Sequence, residues 1–159
     1  MTITLRRAGP SDIDLVFSFV RDLAEHQGDL DHMHATRADL AAALFAPQPH
    51  AFCDIAERDG EVLGGAVWFY TFSTWTGRRG IYLEDLFVRP AARGSGAGRV
   101  LLASLARRAV EEGCARVEWA VSNHNVDGAA FYARQGAVGQ ESYRIWRLDG
   151  EAMQALAEG

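Results

Sequence analysis

The chain of 159 residues has few cysteines, no excess of basic charge and no long apolar run. Its two cysteines, Cys53 and Cys114, lie far apart and form no C-x-x-C motif, which argues against a disulfide framework and predicts a reduced, cytoplasmic setting. The formal net charge of −5 argues against non-specific nucleic-acid binding, which needs a basic surface. No apolar run approaches the length of a membrane span, and residues 1–7 lack the apolar core of a signal peptide. We therefore expect a soluble, unprocessed protein without a membrane partner.

The composition is that of an ordinary globular protein. Hydrophobic residues make up 48% of the chain and charged residues 23%. A chain of this length is long enough for one substantial core, and it contains no linker, internal repeat or low-complexity stretch. We expect a single domain over residues 1–159.

Residue spacing in the first half of the chain predicts a strand, two helices and a meander. A strand over residues 3–7 precedes a helix that begins at residues 10–12, with Ser11 as its N-cap. Thr36 caps a second, short helix. Three antiparallel strands follow at residues 51–57, 62–72 and 81–88, joined by a hairpin turn at 58–60 and a loop at 73–80.

The second half alternates helices and strands. The helix after the central strand ends at Gly113, and its apolar face consists of Leu101, Leu102, Leu105 and Ala109. A strand–helix–strand crossover implies that the next strand, 115–121, runs parallel to 81–88. The predicted order ends with a helix over 127–135, a strand over 142–148 and a helix over 151–158.

The central strand carries two adjacent acids in an otherwise apolar segment. Residues 81–88 read as a strand covered on both faces, interrupted by Glu84 and Asp85. A carboxylate in a strand that is buried on both faces costs free energy unless it is paired, hydrated or used in binding or catalysis. These two side chains are therefore candidates for chemistry, and the alternative is that an arginine or a backbone donor satisfies each of them.

A glycine-rich turn follows this strand and leads into a helix. The turn reads Arg93-Gly94-Ser95-Gly96-Ala97-Gly98, and Arg99 comes next. Arginines at a helix start have the wrong sign for the helix dipole, unless an anion such as phosphate binds there. The spacing fits neither a Rossmann fingerprint nor a Walker motif. The alternative is a glycine turn with solvated arginines.

The turn resembles the Q/R-x-x-G-x-G/A cofactor loop of the GCN5-related N-acetyltransferase family. Residues 82–88 and 125–136 are similar to the spermidine/spermine (diamine) acetyltransferase branch of that family. The resemblance implies an α/β fold with a mixed, mostly antiparallel sheet, a splayed parallel strand pair and flanking helices. It also implies acetyl-CoA as co-substrate, a small-molecule amine as acceptor and a homodimer.

For cofactor binding, the resemblance implies two sets of contacts. Main-chain groups of Leu86, Phe87 and Val88 would hold the acetyl carbonyl and the pantetheine arm. The turn from Arg93 to Arg99 would hold the pyrophosphate, and the amide of Asn125 would contact the arm.

For catalysis, Glu84 is the candidate base and Tyr132 the candidate acid. Desolvation in an apolar strand would make Glu84 a better proton acceptor at neutral pH. Neighbouring strand residues point to opposite faces unless a bulge intervenes, so Asp85 is expected in substrate binding or structure instead. Tyr132 matches the family's F-Y-x-x-x-G segment, where the tyrosine protonates the departing sulfur. The alternative for Tyr132 is a core aromatic residue.

The substrate positions depart from the polyamine pattern. Gln27 stands where the branch has a glutamate, His26 where it has a tyrosine, and Ser73 where it has an aspartate. Glu118 and Glu141 are further candidate substrate contacts. With fewer carboxylates for a long polycation, we expect a smaller amine, such as a short diamine, a lysine-like amino acid or an amine-bearing toxin.

Several aromatic and histidine residues have open roles. Trp75 and Trp146 are expected either to shape the substrate pocket or to be buried core aromatics. His26, His32 and His34 lie in a polar segment that could be a metal site, but a solvated or substrate-facing loop is favoured. The role of His124 is open.

Three functions are compatible with these features. The leading hypothesis is an N-acetyltransferase that acts by direct transfer, since neither cysteine lies in the motif segments. The first alternative is a coenzyme A-binding sensor or interaction module without turnover. The second is acetylation of a peptide or protein amine.

Overall fold

The first of two compact units contains a five-stranded mixed sheet. The structure, a computed structural model, describes residues 2–159, and the chain divides into the units Met1–Ala120 and Val121–Gly159. The strand order β1-β2-β3-β4-β5 follows the chain, with the first four strands antiparallel and β5 parallel to β4. The strands are β1 (Thr4–Arg7), β2 (Phe52–Arg58), β3 (Glu61–Ser73), β4 (Arg78–Val88) and β5 (Val117–Glu118). The predicted α/β class, meander and parallel pair are confirmed.

Helices precede and follow the meander. They are α1 (Ile13–Gln27), α2 (Arg37–Phe45), α3 (Ala97–Glu111), α4 (Val126–Arg134) and α5 (Gly150–Glu158). None of the helices within residues 2–159 combines the length and the apolar character needed to cross a membrane.

One predicted helix cap is confirmed and the other is wrong. The hydroxyl of Thr36 accepts a hydrogen bond from the Asp39 N–H at 3.2 Å, and the Asp39 carboxylate accepts one from the Thr36 N–H at 2.8 Å. This reciprocal capping box starts α2. Ser11 is not an N-cap, because it lies inside a short 3-10 turn, Pro10–Asp12, and Asp12 precedes α1.

A core forms between α1, α2 and one face of the sheet. Its buried residues include Val16, Phe19, Leu44, Cys53, Ile55 and Phe87. The sheet approaches α1 closely, since a Cβ on Gly65 would lie 2.7 Å from the Phe19 ring. A Cβ on Gly64 would collide with the backbone oxygen of Phe87. The two glycines of β3 therefore allow close contact with α1 on one side and β4 on the other.

Helix α3 covers the other face of the sheet. The predicted apolar residues Leu101, Leu102, Leu105 and Ala109 are all buried. On this face the buried carboxylate of Asp54 accepts hydrogen bonds from Arg7 Nε at 2.7 Å and from Trp68 Nε1 at 2.8 Å. These contacts satisfy a buried charge that would otherwise be costly.

The largest differences from the predicted elements lie after α3. Strand β5 has two residues where residues 115–121 were predicted, and residues 142–148 form no strand. The described residues of the second unit contain no strand with which this segment could pair inside that unit. Trp75 and Trp146 are each 92% exposed, so the prediction that they are buried core residues is wrong.

Candidate active site

A β-bulge on β4 sets the direction of the two adjacent acids. The register of β3 and β4 pairs Trp68 with Leu83 and Val67 with Asp85, which leaves Glu84 as the extra residue. A bulge places two residues of one strand opposite one residue of its partner. The strict alternation expected from the sequence is therefore broken at Glu84.

Both acids consequently line one cavity, which we call the main cavity. Its volume is about 490 Å³ and it lies between α1, α2 and the sheet. The lining residues are Val16, Val20, Leu40, Ala43, Leu44, His50, Ala51, Val67, Phe69, Glu84 and Asp85. The prediction that Glu84 and Asp85 face opposite sides is wrong, and the bulge is the reason. A mostly apolar cavity with a few convergent polar groups is suited to a small ligand.

The two carboxyl groups differ in their exposure. Glu84 is exposed, whereas Asp85 is partly buried. Burial raises the pKa of Asp85 to about 6, and the negative charge of Glu84 adds to the effect. The expectation that Glu84 is desolvated in its strand is therefore wrong, since Asp85 is the desolvated member of the pair.

The predicted cofactor turn has an open, left-handed backbone. Gly94 has φ 80° and Gly96 has φ 91°, and a Cβ at either residue would have no heavy atom within 4 Å. Gly96 is the N-cap of α3, and the exposed side chains of Arg93 and Arg99 lie on either side of the turn. Unpaired N–H groups at a helix start, together with two cations, suit an anionic group. The residues present therefore fit a pyrophosphate.

The edge of β4 that faces β5 opens beyond Tyr82. The parallel pairing consists of Ile81 with Val117 and Tyr82 with Glu118, and within the described part of the first unit β5 ends there. The Arg89 N–H donates to the Leu63 oxygen of β3 at 2.9 Å. Because donors alternate along an antiparallel strand, the N–H groups of Leu86 and Val88 point away from β3, towards the open edge.

A second, smaller cavity adjoins the cofactor turn. Its volume is about 280 Å³, and Asp22, Glu25, His26, Phe87, Pro90 and Arg93 line it. His26, a predicted substrate contact, thus lies beside Arg93 and outside the main cavity. Gln27 is the exposed last residue of α1 and lines neither cavity.

The other two predicted substrate contacts are Glu118 in the first unit and Glu141 in the second. Glu118 forms an ion pair with Arg116 at 2.6 Å and lines neither of these cavities. Glu141 lies in an exposed segment of the second unit. Of the predicted substrate contacts in the first unit, the structure places only Asp85 in the main cavity.

The second unit contains the two remaining predicted site residues. Asn125 is the N-cap of α4, and its Oδ1 accepts a hydrogen bond from the Gly128 N–H at 2.9 Å. Tyr132 lies on α4 and is half-buried, and desolvation raises the pKa of its phenol above the usual 10. The phenol therefore keeps its proton at neutral pH and can act as a donor.

His50 is the cavity residue that the sequence reasoning missed. It lies two residues before β2, and its backbone N–H donates to the Ala43 oxygen of α2 at 2.8 Å. A single histidine after Pro49 belongs to no motif, so no local signal identifies it. Within residues 2–159, no group of three or more His, Cys, Asp or Glu side chains could hold a metal ion.

Comparisons with known proteins show what the chain is similar to. The family model described as the Acetyltransferase (GNAT) family matches residues 17–137. The thialysine N-epsilon-acetyltransferase of Sus scrofa is 32% identical over 167 residues, with 98% of each chain covered. The spermidine/spermine N(1)-acetyltransferase-like protein 1 of Homo sapiens is 30% identical over 151 residues, which cover 91% of this chain and 22% of that protein. A solved integron cassette protein from the mobile metagenome of V. cholerae has a TM-score of 0.81 and 27% identity, covering 100% of this chain and 99% of that chain.

Proposed function

Since the chain belongs to the Acetyltransferase (GNAT) family, we propose that it transfers an acetyl group from acetyl-CoA directly to a small primary amine in the main cavity. The family makes it an acyltransferase, and the matched relatives confirm the resemblance to diamine acetyltransferases. The observation that carries the proposal is the pair of carboxylates, Glu84 and Asp85, in an otherwise apolar cavity. An ammonium group on an apolar chain complements such a cavity.

The size of the amine follows from the number of countercharges. The main cavity contains two carboxylates, and both come from one bulge on β4. A long polyamine carries several separated ammonium groups, each of which gains most from its own nearby negative charge. One clustered pair therefore supports a substrate with one ammonium at the reacting end.

Glu84 is the proposed proton acceptor, and Asp85 is the proposed countercharge for the ammonium. An alkylamine has a pKa of about 10.4, so its reaction at neutral pH requires removal of a proton. The exposed carboxylate of Glu84 can pass that proton on to water. Asp85 is ionised above its pKa of about 6 and can hold the substrate cation.

The turn and the β4 edge are the proposed cofactor contacts. The turn from Arg93 to Gly98, followed by Arg99, would hold the pyrophosphate, and the N–H groups of Leu86 and Val88 would donate to the pantetheine arm and the acetyl carbonyl. Acetyl-CoA, when bound, supplies the acetyl thioester. Tyr132 is the proposed proton donor to the leaving sulfur, and Asn125 a proposed contact of the arm. The roles of these last two residues rest on the resemblance of residues 125–136.

Direct transfer is supported by the state of the cysteines. Both are free, and Cys53 is buried in the core between the sheet, α1 and α2. Burial raises the pKa of Cys53 to about 12, so its thiolate is scarce at neutral pH. Cys114 lies outside the motif segments. A homodimer and a cytoplasmic location stay predictions from the sequence.

Thiol release from acetyl-CoA across a panel of amino acids, diamines, polyamines, aminoglycosides and peptides tests the proposal. We expect release that depends on a small amine and that falls at least about a hundredfold in Glu84→Gln. Glu61→Gln, which changes an exposed strand glutamate outside both cavities, is the matched control and should retain the wild-type rate. The proposal is wrong if no amine gives release, or if Glu84→Gln is as active as the control.

A further inference from the structure

One polar residue besides the two acids lines the main cavity. That residue is His50, which is exposed, and eight apolar residues supply the rest of the lining. His50, Glu84 and Asp85 are thus the three titratable side chains that line it. The two acids have a role in the proposed function, whereas His50 has none.

His50 lies across the sheet from the carboxylates. Phe52 of β2, Trp68 of β3 and Leu83 of β4 are paired in one row, and His50 precedes Phe52 by two residues while Glu84 directly follows Leu83. Adjacent strands are about 4.8 Å apart, so the backbones of β2 and β4 are separated by roughly 10 Å. The imidazole and the carboxylates therefore belong to different walls of the main cavity.

The position of His50 is fixed by its backbone. The N–H groups of His50 and Ala51 both donate to the Ala43 oxygen, at 2.8 and 3.3 Å, which ties the start of β2 to α2. Ala43 and Ala51 also line the main cavity. The backbone of His50 is thus anchored to α2 through one shared acceptor.

We propose that His50 is a specificity-determining residue that binds the carboxylate of a lysine-like amino acid, whose distal amine lies at Glu84 and Asp85. This inference rests on the proposed function. An imidazole carries at least one N–H donor in either protonation state, so it can donate to a carboxylate. It offers no negative charge, so a second ammonium gains no ion pair at that wall.

The chemistry separates two substrate classes that share the same reacting amine. Cadaverine is lysine without its carboxylate, and putrescine is ornithine without its carboxylate. Each pair therefore differs by the one group that His50 would recognise. The ratio of kcat/KM for the amino acid to kcat/KM for its diamine reports on recognition of the carboxylate, because the transferred group and the reacting amine are the same. The change of this ratio in His50 variants reports on His50.

The test measures this ratio in the wild type and in three variants of His50. A hydrogen bond to a charged group changes affinity by about tenfold to a hundredfold, so we expect His50→Phe to lower the lysine-to-cadaverine ratio by that factor. His50→Gln retains a donor and should keep part of the preference. His50→Glu places a carboxylate on the wall and should invert the preference in favour of the diamine. His34→Glu makes the same substitution at an exposed histidine outside both cavities and should leave the ratio unchanged.

The outcomes distinguish this inference from the proposed function. If the wild type acetylates amines but prefers cadaverine, or if His50→Phe and His50→Glu leave the ratio within twofold of the wild type, His50 is not the determinant and the inference is wrong. If the wild type acetylates no amine, the proposed function fails and the inference fails with it. Circular dichroism and thermal melts check that each variant folds, and the conservative His50→Gln variant provides the comparison if a larger change unfolds the chain.

Discussion

Replacement of Asp85 by asparagine should stabilise the protein at alkaline pH and reduce its activity. Asp85 is partly buried beside Glu84, and burial together with the Glu84 charge raises its pKa from 3.8 to about 6. Asparagine has nearly the same shape but carries no charge. The substitution therefore removes the cost of a desolvated carboxylate and also removes the proposed countercharge for the substrate.

The size and the pH range of the effect follow from the two pKa values. The folded state binds the Asp85 proton more tightly than the unfolded state, so stability falls as the pH rises from about 4 to about 6. A change from 3.8 to about 6, at about 1.4 kcal/mol for each pKa unit, corresponds to about 3 kcal/mol. Above pH 6 the ionised Asp85 lowers the stability of the wild type by this full amount, and below pH 4 it lowers the stability by almost nothing.

Urea unfolding at pH 4 and at pH 8 measures this difference. We expect the free energy of unfolding of Asp85→Asn to exceed that of the wild type by up to about 3 kcal/mol at pH 8 and to match it at pH 4. Glu84→Gln is the matched control. Because burial is the larger cause of the pKa shift of Asp85, removing the Glu84 charge should recover only a smaller part of the lost stability at pH 8. The reasoning is refuted if Asp85→Asn is no more stable than the wild type at pH 8, or if its gain is the same at both pH values.

Three further substitutions test the turn, the sheet and the second unit. Tyr132→Phe should lower kcat by about a hundredfold without changing the KM for acetyl-CoA, as measured by steady-state thiol release. An unchanged kcat would refute the role of Tyr132 as proton donor. Gly96→Ala places a side chain at φ 91°, which costs about 1–2 kcal/mol in the conformation that the turn adopts. Calorimetry should therefore show weaker binding of coenzyme A, and an unchanged affinity would contradict the role of the turn. The Cβ of Gly64→Ala would collide with the Phe87 backbone, so this variant should be destabilised by about 1–3 kcal/mol or more in thermal melts. The exposed control Gly139→Ala should change stability by about 0.5 kcal/mol or less. Equal melting temperatures of the two variants would contradict the packing of Gly64 against β4.

Local patterns in the sequence predict the parts of the fold that depend on near neighbours. The apolar spacing of α3 identifies its buried face, and the Thr36 cap identifies the start of α2. The alternate glycines predict a sharp turn, and Gly94 and Gly96 adopt positive φ there, which glycine does without strain. Each of these features is set by residues within a few positions of one another.

The parts that the sequence does not predict depend on pairing between distant segments. The bulge at Glu84 exists only in the register between β3 and β4, so alternation along β4 alone gives the wrong direction for Asp85. His50 reaches the main cavity because the order of the strands places β2 beside β3. Residues 142–148 alternate as a strand would, yet a strand requires a neighbour to pair with.

Mass spectrometry of the reaction products tests the central claim most directly. The chain contains no lysine, so it has no lysine side chain of its own to compete for the acetyl group. With acetyl-CoA and a mixture of lysine, ornithine and cadaverine, we predict one acetylated amine for each thiol released, no acetyl group on the protein, and loss of the product in the Glu84→Gln, Asp85→Asn double variant. Thiol release without an acetylated amine, an acetyl group retained on Cys53 or Cys114 during turnover, or full activity of the double variant would contradict direct transfer at these two carboxylates.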